Sequence, residues 1–355
     1  DSRYAPPQPV DRTGDQNHTQ KSTHPFANTE ETLVDQFAQQ LVNGLTLGSL
    51  YALIAVGYTV VYGIVQLINF AHGEIFMIGA FGALSTWLIF FEGETALWTL
   101  PFMLVGAIAA SVTTAVAMER IAYRPLRNAP RLAPLITAIG ISIFLQEAVR
   151  LGFNDPTLFL SNWNPLDFPS AKQKVPFPQI DVVTGQAFTL GGVTIQRSAL
   201  FTIGCLVMCA AGLWYFVNRT KTGRGMQAVS QDPDTARLMG INVDRIIMVA
   251  FAVGATLAAV AGVAQGLQVT NINFKMGFLA GLKAFTAAVL GGIGNVWGAV
   301  VGGLTLGIVE AMAVQFIPGT FGGSPWKDVW AFALLIIVLV FRPQGLLGAK
   351  VVDRA

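Results

Sequence analysis

Apolar positions run along this chain in long, almost unbroken stretches, and the polar residues are gathered into a few short segments between them. Residues 96–118, 198–217 and 246–268 contain no Asp, Glu, Lys or Arg. Each is about 20 residues or longer, enough to cross a bilayer as a helix. Residues 36–73 and 284–309 are also uncharged, and their interior glycines divide them into more than one helical piece. The pattern predicts crossings near 38–63, 73–91, 97–118, 133–151, 198–218, 246–268, 277–293, 297–316 and 327–342. The pieces around 64–91 and 277–316 are candidates for broken or re-entrant helices.

Composition agrees with that pattern. Hydrophobic residues make up 53% of the chain and charged residues 12%, against about a quarter charged in soluble domains. The mean hydropathy is +0.56. The fold class expected is all-α, a polytopic integral membrane protein of about nine transmembrane helices. A polar N-terminal tail (1–37) precedes a membrane domain (38–342), and a short C-terminal tail (343–355) follows it. Cys205 and Cys209 lie one helical turn apart in an apolar run, a spacing that suits packing; no metal site and no disulfide is expected of them.

The placement of charge, not its net value of +2, sets orientation. Arg120, Arg124, Arg127 and Arg131 crowd one loop, and Arg219, Lys221, Arg224, Arg237 and Arg245 crowd another. The positive-inside rule puts both loops in the cytoplasm. The N-terminal tail and the long loop 152–197 then lie outside and the C-terminus inside. Within that outer loop, the alternation of DVVTGQAFTLGGVTIQ predicts a small hairpin turning near Gly191 and Gly192.

One inner segment, GRGMQAVSQDPDTARLMGIN (223–242), is polar and glycine-punctuated. Gly223, Arg224 and Gly225 carry the chain out of the membrane. Asp232-Pro233-Asp234 reads as a helix start, with an N-cap, a proline at the first position and an acid in the first turn. Ala236, Arg237, Leu238 and Met239 continue the helix, and Gly240 caps it. The helix is either a docking surface, with Leu238 and Met239 as anchors, or an amphipathic connector on lipid headgroups.

Polar groups within spans are expensive and default to functional hypotheses. Asn69, His72 and Glu74 cluster in INFAHGEIF, where Gly73 would permit a helix break; an interfacial role is the bland alternative. Glu310 stands alone in an apolar helix and needs a proton or a partner, either Lys283 or a group from another subunit. Gly291, Gly292 and Gly294, before Asn295, are poor helix material. They form either a broken helix facing the charged ends of a substrate or a tight turn between spans. GLTLG occurs at 44–48 and again at 303–307, which is weak evidence of duplication. Gly254, Ala258 and Gly262 at four-residue spacing suit close helix packing.

The segment GRGMQAVSQDPDTARLMGINVDR resembles the cytoplasmic coupling segment of inner-membrane permeases that import branched-chain amino acids by ATP-driven transport. The likeness extends to residues 45–81, 123–146, 281–304 and RPQGLLG (342–348), nearly the whole chain from about residue 38. It implies a bacterial plasma-membrane protein working with two cytoplasmic ATPase subunits, a second related permease subunit and an external substrate-binding protein. Gly223–Gly225 and Asp232–Gly240 become the ATPase contact. Asn69, His72, Glu74, Lys283, Gly291, Gly292, Gly294, Asn295 and Glu310 become candidates for the translocation path. No G-x-x-x-x-G-K-[ST] phosphate loop is present, so hydrolysis by that route falls to a partner. No catalytic residue, cofactor or nucleic-acid partner is implied. The cargo could instead be urea or another amino acid on the same architecture, and a self-sufficient secondary transporter or channel is the rival of a different class.

Overall fold

A computed structural model describes residues 27–67, 69–127, 129–130, 132–152 and 174–348. Expectations placed on the tail before residue 27, on Arg131, on residues 153–173 of the outer loop and on residues 349–355 lie outside the described residues. A chain this oily has to satisfy its backbone internally, and helices do so. They are α1 (Ala27–Val65), α2 (His72–Phe90), α3 (Thr99–Met118), α4 (Leu132–Gly152), α5 (Arg197–Arg219), α6 (Lys221–Gln231), α7 (Pro233–Leu238), α8 (Val243–Val269), α9 (Met276–Gly291), α10 (Val296–Phe316) and α11 (Lys327–Phe341). Eight helical stretches, all but α6, α7 and α9, are long and apolar enough to cross a membrane. The protein is an all-α polytopic integral membrane protein.

The ninth expected span is α9. It is apolar but has only 16 residues, about 24 Å at ~1.5 Å per residue, short of the ~30 Å hydrocarbon core. Its first turns press on the first turn of α2: a Cβ on Gly73 would lie 2.4 Å from the Gly277 carbonyl oxygen. Gly73 is therefore used for close approach and not for a helix break. The break comes earlier, after Val65, where Gln66 takes φ +54°.

The repeated GLTLG has a packing explanation. Its two copies lie on α1 and α10 and cross each other: a Cβ on Gly307 would sit 2.2 Å from the Gly48 nitrogen, and one on Gly44 2.7 Å from the Ile308 Cα. Small residues every fourth position let two helix backbones touch, so both sides of one crossing carry the same spacing.

The bundle has two distinct ends. At one, β2 (Gln186–Leu190) and β3 (Val193–Gln196) form the expected hairpin, turning at Gly191 and Gly192 with φ +55° and +85°. Gln39 of α1 holds it, donating to the Thr194 carbonyl (3.1 Å) and accepting from the Thr194 N–H (2.7 Å). There too β1 (Val175–Pro176) pairs with β4 (Asn271–Ile272). At the other end a π-helical turn, Glu119–Tyr123, leads into the arginine loop. Glu119 is fully buried there and pairs with Arg127, which also reaches Asp244 in the first turn of α8 (2.5 Å); Arg124 adds a longer pair to Asp244 (3.4 Å).

Candidate translocation path and coupling surface

Asn69, His72 and Glu74 are brought together at the start of α2, and all three are buried. Asn69 orders the break, its side-chain oxygen accepting from the Ala71 N–H (3.0 Å) and from the Tyr123 hydroxyl (2.8 Å). The His72 ring stacks edge-on to Tyr58 at 4.6 Å and fills the gap between Gly57 of α1 and Gly254 of α8. Gly254 lies about 16 Å from the start of α8 at ~1.5 Å per residue, so the cluster sits well inside the bundle and not at its mouth. Its polar atoms are under-used: among the described residues Thr59 Oγ1, Asn69 Nδ2 and His72 Nε2 have no hydrogen-bond partner, and these three residues line one small cavity with Tyr58. Glu74 points the other way, toward α4 and α9, where Ser142 Oγ (2.9 Å) and Gln146 Nε2 (2.8 Å) donate to its Oε1.

Glu310 finds the partner expected within the chain. Lys283 Nζ lies 2.7 Å from Glu310 Oε1 and 2.6 Å from Asp328 Oδ1. The Tyr51 hydroxyl accepts from Lys283 (3.1 Å) and donates to Glu310 Oε2 (3.0 Å). One cation is therefore shared by two carboxyl groups. The network lines a cavity of about 470 Å³ that also takes in Gln40, Gln265 and Asn273, near the hairpin end.

The glycines at 291–294 form a tight turn whose groups are occupied by the C-terminal segment. Leu290 and Gly291 carbonyls accept from the N–H groups of Leu346 (2.8 Å) and Leu347 (2.9 Å). Asn295 caps α10 through the Trp297 N–H and donates to the Leu347 carbonyl (2.9 Å). A Cβ on Gly292 would lie 2.6 Å from the Gly348 nitrogen. The RPQGLLG segment thus closes this turn instead of trailing free.

The polar stretch folds into two short helices, α6 and α7, at the arginine-rich end. Thr220 caps α6, accepting from the Gly223 N–H (3.0 Å), and a Cβ on Gly223 would strike the α5 backbone at 2.3 Å. Gly225 packs on Ile246 of α8, and Arg224 with Lys221 and Arg245 borders an open cleft between α5 and α8. Asp232 caps α7 as expected, accepting from the N–H groups of Asp234 (2.9 Å) and Thr235 (3.2 Å). The Thr235 hydroxyl, and then these N–H groups, hold its carboxyl below the ordinary carboxylate value, so the cap is ionised at neutral pH. Arg237 pairs with Asp234 (2.9 Å), and Gly240 ends the helix at φ +83°. Of the residues expected to form the ATPase contact, Ala236 instead packs inward at 4% exposed, while Leu238 and Met239 stand 88% and 79% exposed.

Residues 40–339 match the model of the branched-chain amino acid transport system / permease component family. The chain belongs to that family. BraD of Pseudomonas aeruginosa, a high-affinity branched-chain amino acid transport system permease protein, is 46% identical to this permease over 90% of this chain and 98% of its own. LivH of Escherichia coli, carrying the same description, is 42% identical over 90% and 97%. A probable branched-chain amino acid transport permease protein of Methanocaldococcus jannaschii is 26% identical over 87% and 91%.

Several of the permease's polar contacts escaped sequence reasoning. Tyr51, Ser142 and Gln146 are uncharged residues in apolar runs, and periodicity gives no reason to separate them from packing residues. Asp328 carried a signal, an acid at the very start of the last span, that could have paired it with Lys283. Glu119 looked like one charge in a basic loop, and only the fold shows it buried among arginines.

Proposed function

We propose that this permease is the membrane subunit of an ATP-binding-cassette importer that carries branched-chain or related apolar amino acids into the bacterial cytoplasm. Two ATPase subunits, a second related permease and an external binding protein complete it. The arginine-rich end is cytoplasmic and the hairpin end faces outward, in keeping with the basic residues gathered there. The observation that carries the reading is the α6–α7 tip, joined to a chain that matches amino-acid permeases along almost its full length. Leu238 and Met239 are two neighbouring apolar side chains held out in water by a capped, positioned helix. Such a pair anchors a helix in a partner's groove. Asn69, His72, Lys283 and Glu310 supply polar lining of the path, Glu74 acts from behind it, and ATP is hydrolysed by the partners. The Gly291–Asn295 turn, tied to the C-terminal segment, lies at the cytoplasmic end of α9 and α10 and transmits movement between them.

The test is Leu238→Asp/Met239→Asp in the reconstituted complex. The variant should insert normally, yet retain at least tenfold less ATPase on co-purification and lose substrate-stimulated hydrolysis. Full ATPase retention with normal uptake would reduce α7 to a connector.

A further inference from the structure

Glu74 is an energetic oddity. A carboxylate with no exposed surface is costly in an apolar interior unless its charge is answered. Among the described residues it forms no ion pair, and its Oε2 has no hydrogen-bond partner. Its Oε1 takes the hydroxyl of Ser142 and one N–H of Gln146, whose other N–H donates to Ser142 Oγ (3.4 Å). With those donors turned inward, what the two side chains have left to present on their other side are acceptors: the remaining lone pair of the serine hydroxyl and the amide oxygen of Gln146.

That other side is a cavity of about 460 Å³ between α4 and α9, lined by Ser142 and Gln146 and otherwise walled by Phe70, Ile139, Ile143, Phe278 and Leu282. Its size falls in the range of ligand pockets, about 300–1,000 Å³, and so does its character, apolar walls with a few convergent polar groups. The polar edge accepts, and a buried carboxyl with no cation of its own among the described residues stands directly behind it. A carboxylate, which only accepts, finds no donor there, and a small polar amide such as urea leaves the walls unfilled. An ammonium group donates in every direction and brings the missing positive charge.

We propose that the α4–α9 cavity is a cargo site. It takes an amino acid by its ammonium at Ser142 Oγ and Gln146 Oε1 and seats the branched side chain against Ile139, Ile143, Phe278 and Leu282. Glu74 acts as a positioning counter-charge one layer behind. The assignment rests on the amino-acid import reading above and adds which end of the cargo meets which residues.

Photo-leucine, the diazirine analogue of leucine, tests it in the complete reconstituted importer during ATP-driven turnover. Adducts are expected on residues 139–143 and 278–282, displaced by excess leucine. Glu74→Gln keeps an acceptor for both Ser142 and Gln146 and removes only the charge. It should cut adduct yield at limiting ligand, and raise the KM for leucine, tenfold or more. Should that variant fail to assemble, Gln146→Leu, at a part-exposed position, carries the same expectation. Ile143→Trp, at a rim position 58% exposed, should abolish the adducts. Normal uptake with adducts elsewhere would mean that lipid or a second permease fills the groove, and would overturn the site. Adducts in the cavity that ignore Glu74→Gln would overturn the ammonium assignment. A wild-type importer that does not take up leucine would instead remove the import reading, and this site with it.

Discussion

Lys283 is the position where removing one charge should do most harm. Its Nζ is shared by Glu310 and Asp328, and both Lys283 and Glu310 are almost wholly buried. Lys283→Met strands Glu310 with only the Tyr51 hydroxyl. Breaking a buried pair in this way costs about 3–5 kcal/mol. Glu310→Gln is a milder change, because Lys283 keeps Asp328 at 2.6 Å and the glutamine can still accept. Losing one charge-assisted bond is worth about 1.5–3 kcal/mol. The double variant Lys283→Met/Glu310→Gln removes the stranded carboxylate and leaves Asp328, whose side chain is 36% exposed and can be hydrated. It should therefore be no less stable than Lys283→Met alone, so that a coupling of about 1.5–3 kcal/mol, within the range typical of contacting groups, cancels the cost of the second change. The assay is equilibrium unfolding by SDS in mixed micelles, with uptake measured on the same preparations. Glu310→Gln should lower uptake more than it lowers stability, because it removes one of the two negative charges lining the cavity. If Lys283→Met lies within about 1 kcal/mol of wild type, or if the two changes simply add, the network is solvated and the reasoning fails.

Two further predictions concern packing and orientation. Gly307→Ala places a methyl 2.2 Å from the Gly48 nitrogen and should cost about 1–3 kcal/mol by overpacking. Gly204→Ala, which meets nothing within 4 Å, should be neutral or stabilise by up to about 1 kcal/mol; equal unfolding midpoints for the two would deny the tight α1–α10 crossing. Single cysteines at Glu94 and Met239, in a background without Cys205 and Cys209, should label from outside and inside respectively, and labelling of both by one impermeant reagent added outside would refute the orientation.

The sequence was most informative where one force acted alone. Uncharged runs of about 20 residues became helices because the backbone has no other way to be satisfied in lipid. The Asp232-Pro233-Asp234 start and the Gly191-Gly192 turn appeared as expected because caps and tight turns are local chemistry. Glu310 and Lys283 drew notice as charges in the wrong solvent, and they met. What stayed hidden was relational. GLTLG is only weak evidence of duplication in sequence, and its meaning comes from α1 and α10 crossing through it. Gly73 would permit a helix break by sequence alone, but its missing side chain makes room for α9, which nothing local reveals. Ala236 and Leu238 share one short helix, and only the packing of α7 on the body tells which faces inward. Ser142 and Gln146 are unremarkable in sequence, and their meaning comes from Glu74, about 70 positions away in the chain.

Reconstitution tests ATP-driven import of branched-chain amino acids through this subunit. Vesicles would hold this permease with its companion permease and ATPase subunits, with the binding protein supplied on the opposite face. Leucine uptake should require ATP, scale with binding protein and vanish when the ATPase is inactivated. Accumulation of leucine by the permease without ATPase or ATP, driven by an ion gradient alone, would contradict the account.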